Sequence, residues 1–341
     1  MALLFVMAWA AAGEVIAGQR TVTLETLSPL GSQNQIAARL LSPLARMEYE
    51  ESITPPHHGA DEQSLRAGEE QFDILVPEGN GRKLGVLVFL PPTDEFSVPA
   101  DWRKTLQRER LVFISPRDAG NDHNVLERRV PLALNAYAYV LAQHEIDPGR
   151  VYVAGFSGGA RTAQMVGFGF PDIFRGVLQF SGSDPVGDSA VPPPPGELGR
   201  LLQERLRIVH ATGADDEAYT ATDLKTRRSL AAICVSNVVQ VAQPRIAHDL
   251  PGGRGFDRAL RALLEPSRQG RDMARCREQL GKRIDAASGE VAMRLERGQL
   301  ESARKALDVL DLRFGWLAAP RSVELAQQLR ASGDKGDGRE P

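Results

Sequence analysis

Arg150-Val151-Tyr152-Val153-Ala154-Gly155-Phe156-Ser157-Gly158-Gly159-Ala160-Arg161 decides how this chain is read. An apolar, β-branched run ends at Phe156 and small residues begin at Gly158, so the serine between them predicts a tight strand-to-helix turn. Such a turn strains the backbone and projects the Ser157 hydroxyl clear of the strand end. Glycines at 155 and 159 let the two arms approach without Cβ clashes. The helix N-terminus offers the Gly158 N–H and a positive dipole end to a developing oxyanion. A bare Gly-x-Ser-x-Gly arises by chance; in a strand–turn–helix frame it points to a nucleophilic serine.

The flanking sequence supplies that frame. Apolar runs at Phe72–Pro77, Leu84–Leu90, Leu111–Ser115, Val151–Phe156, Gly176–Phe180, Leu206–Ala211 and Val238–Ala242 read as buried strands. Helical stretches are expected at Asp101–Arg110, Glu127–His144, Gly158–Gly169, Gly199–Glu204, Tyr219–Ile233 and Gly255–Leu264. The alternation predicts an α/β fold, a mostly parallel central sheet with helices on both faces. The first run lies too close to the second for a crossover, so an antiparallel edge is expected there. Upstream, Gln19–Arg66 reads as irregular, with one helix around Gln35–Tyr49 and a Pro55-Pro56-His57-His58 turn. Beyond Pro266 only helical stripes remain, such as Met273, Cys276, Leu280 and Ile284, with Gly289 and Gly298 as punctuation. The expected organisation is a signal peptide over 1–18, an irregular segment over 19–70, the α/β domain over 71–266, a C-terminal helical appendage over 267–330 and a frayed tail over 331–341.

The stretch Ile146-Asp147-Pro148-Gly149-Arg150 through Gly159 resembles the elbow of polyhydroxybutyrate-depolymerase-like and feruloyl-esterase-like α/β-hydrolases, and Phe170-Pro171-Asp172-Ile173-Phe174-Arg175-Gly176 resembles their link into the next strand. The likeness spans roughly Phe72 to Leu264. It implies an α/β-hydrolase fold and a serine esterase that forms an acyl-enzyme on a Ser-Asp-His triad.

Of six histidines, His248 is the expected base. It follows the last strand in Ile246-Ala247-His248-Asp249-Leu250-Pro251, resembling the family's catalytic loop with Ala247 replacing a usual glycine. His57, His58, His144 and His210 read as structural or exposed, and His123, after the third strand, is an outsider. The acid is expected from a strand-end loop between serine and histidine. His210-Ala211-Thr212-Gly213-Ala214-Asp215-Asp216 resembles the family's turn and selects Asp216, with Asp215 and Asp184 as alternatives. The second oxyanion donor departs from the family pattern. After the Leu84–Leu90 strand stand Pro91 and Pro92, which have no N–H, so Thr93 is the first residue able to join Gly158.

The formal net charge of −3 over 341 residues gives no basic field for nucleic acid. Ala2–Ala12 is too short to span a bilayer and fits the apolar core of a secretion signal, with small residues at Ala10, Ala12, Val15 and Ala17 for cleavage; a buried first element is the alternative. The two cysteines, Cys234 and Cys276, lack metal-ligand spacing. In an exported protein they would pair; as buried thiols they would not. No metal or cofactor is expected, and the substrate is a small-molecule or polymeric ester. Two other readings stay open: a serine peptidase or amidase on the same fold, and an inactive hydrolase fold used for binding.

Overall fold

The computed structural model describes residues 18–52, 63–79, 83–187, 192–266 and 272–337. The proposed signal sequence, the His57-His58 turn and part of the loop after Pro185 lie outside the described residues.

One eight-stranded sheet organises the chain, in the order β1-β2-β4-β3-β5-β6-β7-β8. Strands β1 (Gln19–Thr23), β2 (Gln71–Leu75) and β4 (Leu111–Pro116) pair antiparallel. From β4 onward, β3 (Leu84–Leu90), β5 (Ile146–Phe156), β6 (Gly176–Phe180), β7 (Arg207–His210) and β8 (Val238–Gln240) run parallel. All seven expected runs are strands. The sequence reading missed β1, which lies in the segment taken as irregular and has too little apolar alternation to signal itself. Its presence moves the sheet edge outward from β2.

Helices cover both faces. Over one face lie α1 (Gln33–Leu40), α4 (Val130–Gln143) and α5 (Gly158–Gly169). Over the other lie α3 (Arg103–Glu109) and α8 (Gly253–Leu264), closing an aromatic core of Phe89, Trp102, Phe113, Phe180 and Phe256. The Trp102 and Phe256 rings stack with centroids 4.0 Å apart. The single helix expected over Gln35–Tyr49 is two, α1 and α2 (Pro43–Ser52). Pro43 is the reason: it disfavours a helical residue before it and suits the first position of the next helix.

The helices α6 (Gly196–Glu204) and α7 (Glu217–Ala232) complete the α/β layer, followed by α9 (Met273–Glu296), α10 (Leu300–Phe314) and α11 (Arg321–Asp337). The last three share their own apolar core, including Leu280, Val291, Leu307, Leu310, Phe314 and Leu325. Gly289 does not interrupt α9, and α11 stays helical to Asp337, past the point where fraying was expected. The appendage is tied back to the α/β layer. Trp316 Nε1 donates to the Leu41 carbonyl at 2.8 Å, and a disulfide joins Cys234, just after α7, to Cys276 on α9.

Strand order, the antiparallel β2 and the turn between β5 and α5 define the α/β-hydrolase fold.

Candidate active site

Ser157 holds φ +52° and ψ −120°, a left-handed backbone that a serine adopts only under constraint. The constraint is visible. Ser157 N–H donates to the Phe180 carbonyl of the neighbouring strand β6 at 2.9 Å, and the Ser157 carbonyl accepts from Ala160 N at 3.1 Å. A Cβ on Gly155 would run into the Gly159 carbonyl, and one on Gly159 into the Leu90 carbonyl. Both glycines are therefore demanded by close backbone approach, and the end of β3 packs directly against the first turn of α5.

His248 comes to Ser157 on a short loop after β8. Its Nε2 lies 3.0 Å from Ser157 Oγ, and its Nδ1 lies 2.8 Å from Asp216 Oδ2. The loops after β7 and β8 are zipped by backbone hydrogen bonds: Gln243 N to Thr212 O at 3.0 Å, Ala214 N to Gln243 O at 2.8 Å and Asp215 N to Ile246 O at 3.0 Å. That zipper fixes Asp216 opposite His248. Asp216 is 8% exposed and also caps α7, its Oδ1 accepting from Tyr219 N at 3.4 Å. The far side of the histidine loop is anchored by Trp102 Nε1, which donates to the Pro251 carbonyl at 2.8 Å.

The rival acids stand elsewhere. Asp215 is exposed, with its N–H spent on Ile246. Asp184 is held through its backbone by Gln164, and burial pushes its carboxyl above the usual range, with Arg161 opposing. His123 is occupied by Asp94, at 2.8 Å. Thr93 stands in an exposed loop pinned by Asn121 N to Pro92 O at 2.9 Å and Asp118 N to Asp94 O at 2.8 Å. Among the described residues no carbonyl caps the Thr93 N–H.

Three features escaped the sequence reading. The His248 ring lies against two aromatic rings, with Tyr219 4.7 Å and Phe156 5.0 Å away between centroids. The Asn121 amide rests against Gly158, at the mouth of the site. Beneath the acid loop, His210 and Asp223 form a buried pair at 3.0 Å, both 0% exposed. Asp223 also accepts from Ser183 at 2.7 Å and from Thr212, so a single carboxylate on α7 holds the ends of β6 and β7. Burial pushes the Asp223 carboxyl up, but hydrogen bonds from His210, Thr212 and Ser183 outweigh it and hold it below the ordinary value. No spacing rule links these positions; only the 3.6-residue pitch of α7 brings Asp223 two turns beneath Asp216.

No protein-family model matches this chain, and no curated protein matches it. Among solved structures it is similar to a thermostable esterase, at 15% identity and a TM-score of 0.47 over 74% of this chain. The match spans 64% of that esterase, less than two thirds of its length. It is also similar to a feruloyl esterase module from Clostridium thermocellum, at 15% identity and a TM-score of 0.45 over 58% of this chain and 84% of that one. Est1E from Butyrivibrio proteoclasticus aligns at 16% identity and a TM-score of 0.38, over 52% of this chain and 86% of that one.

Proposed function

We propose that this chain is a serine hydrolase that cleaves carboxylic esters through an acyl-enzyme. The observation that carries the reading is the continuous line of hydrogen bonds from Ser157 Oγ through His248 to Asp216, at 3.0 and 2.8 Å, on a strained strand-to-helix turn. In this reading His248 Nε2 takes the Ser157 proton as Oγ attacks the ester carbonyl carbon. The negative charge on the carbonyl oxygen is received by the N–H groups of Gly158 and Thr93. As the intermediate collapses, the ester C–O bond breaks and the leaving alkoxide takes the proton from Nε2. A water, deprotonated by the same nitrogen, then attacks the acyl carbon; the C–Oγ bond breaks, Ser157 Oγ takes the proton back from Nε2, and the acid leaves. Asp216 holds Nδ1–H, and with it the tautomer that leaves Nε2 free to accept.

The aromatic rings beside His248 restrict how the imidazole can turn, which keeps Nε2 on the serine. A fluorophosphonate probe should label wild type at Ser157 and leave Ser157→Ala unlabelled. A matched panel of aryl esters and anilides should show turnover of the esters. Preferential anilide cleavage would move the reading to an amidase, and absence of both labelling and turnover would leave a binding protein.

The chain is further proposed to be exported, with 1–18 as its signal. The Cys234–Cys276 disulfide, Cα to Cα 5.8 Å, supports an oxidising compartment. Cell fractionation with N-terminal sequencing of the mature protein tests this.

A further inference from the structure

Four of the parallel strands begin at or beside a cation. Lys83 immediately precedes β3, Arg110 precedes β4 and Arg175 precedes β6, while Arg150 stands in the first half of β5 and Arg207 opens β7. The register aligns them. Gly85 pairs with Leu111, Val86 with Val151, Tyr152 with Gly176 and Gly176 with Arg207. The register therefore brings these cations to the same end of adjacent strands, about 4.8 Å apart. They line a cavity of about 940 Å³ at the amino edge of the sheet, closed on one side by Leu263–Pro266 at the end of α8. Seven Lys and Arg residues face it, against three carboxylates.

Composition does not account for this. The whole chain carries a net charge of −3, so the excess of positive charge here is local. Three of the seven are paired with carboxylates, Lys83 with Glu145 at 3.0 Å, Arg108 with Glu109 at 2.8 Å and with Asp257, and Arg207 with Glu265, whereas Arg150 and Arg175 form no ion pair among the described residues. Arg150 donates to the Glu109 carbonyl and Arg175 to the Pro171 carbonyl at 3.4 Å; both contacts orient the guanidinium and leave its charge unbalanced. Arg205 is exposed, and its side chain has no partner among the described residues. Arg207 is the built element of the site. It is 5% exposed and held by the Ala262 carbonyl, Asn237 Oδ1 at 2.9 Å and Glu265 at 3.0 Å. Tyr152, 6% exposed, adds a hydroxyl to the wall. Burial raises its pKa, with Arg150 opposing, so the hydroxyl stays protonated as a donor.

We propose that this amino-edge cavity binds a soluble small molecule carrying two or more oxyanionic groups, phosphate or carboxylate. Planar guanidinium forks match either group bidentately, and several of them around one cavity suit a ligand with charges at more than one point. The low-dielectric walls of a concave site concentrate the field and raise the local anion concentration. The site is separate from Ser157, which lies at the other end of β5, and it does not rest on the hydrolase reading.

Calorimetric titration of the full chain at low salt tests it, with inorganic tripolyphosphate, citrate and sulfate as probes. Tripolyphosphate or citrate should bind at one saturable site, at least about tenfold tighter than sulfate, and the tighter of the two assigns the group. The Arg175→Gln/Arg205→Gln double variant should weaken that binding at least about tenfold, with ester turnover unchanged. Arg205→Glu alone should lower affinity in the same direction, and its exposure keeps the fold intact if the double variant loses stability. Three results would overturn the proposal: no binding of either multivalent probe, binding no tighter than sulfate, or affinity unchanged in folded Arg205→Glu.

Discussion

Along β5 the backbone runs from Arg150, in a cavity crowded with guanidinium groups, to the turn beyond Phe156, where Ser157 stands strained beside His248. The two ends of this one strand are built by opposite means. At the carboxyl edge the three side chains of the proposed triad come from three separate loops, and each is locked by its own hydrogen bonds: Ser157 by Phe180, Asp216 by the Gln243 and Ile246 carbonyls on its neighbours, and the His248 loop by Trp102. At the amino edge most of the side chains come from at or near strand starts, where sheet register brings them to one end, with Arg108 and Arg205 added from helix ends. Chemistry that moves a proton needs tenths-of-ångström positioning, hence the loops and their locks. Charge complementarity acts over longer distances and tolerates looser supports.

If the two edges are independent, damage at one leaves the other working. Asp216→Asn should lower kcat for an aryl ester by about 10⁴, while Asp184→Asn and Asp215→Asn stay within severalfold of wild type. Tripolyphosphate affinity should be the same in all three. A collapse at Asp184→Asn with Asp216→Asn near wild type would transfer the acid role. Thr93→Pro, which removes the backbone donor and keeps a neighbouring-proline backbone, should cost about 10²–10³ in kcat. Little loss would shift the second oxyanion donor to another N–H of the same loop.

Smaller effects sharpen the account of how the carboxyl edge is held. Asp223→Asn should destabilise the fold by about 2–3 kcal/mol and lower kcat about tenfold with KM unchanged, because the ends of β6 and β7 lose their shared acceptor. The sign with pH follows from the depressed folded pKa. Stability from the Asp223 carboxylate is fully present above its unfolded pKa, near ~3.9, and is lost as pH falls through the lower folded value. Denaturant melts of wild type and Asp223→Asn should therefore differ by a constant amount above about pH 5 and converge as pH falls below about 4. A gap that persists into stronger acid would show that the carboxylate charge is not what Asp223 contributes. The double Cys234→Ser/Cys276→Ser variant should lose about 2–4 kcal/mol in the same melts. Its kcat should hold, because the bond ties α9 to the end of α7, away from Ser157.

The residue pattern alone determined the α/β layer. Uninterrupted β-branched runs bury on both faces only as central parallel strands, and the glycines around Ser157 permit only a tight turn. The family-like turn and loop pointed to Asp216 and His248, with Asp215 and Asp184 left open; in the folded chain it is Asp216 and His248 that hydrogen-bond in line with Ser157. What the pattern did not contain is anything that depends on distant chain segments meeting. β1 has few apolar residues and exists because β2 offers it an open edge. Pro43 had a local signal for splitting the helix, but Tyr219 and Phe156 beside His248, Asp223 beneath Asp216 and Asn121 at Gly158 had none. The arginines of the amino edge are spread from 108 to 207 and look, one by one, like ordinary surface charges. Sheet register is a non-local quantity, set by which strands pair and in what phase. It gathers those separate charges around one cavity, and only the folded chain contains it.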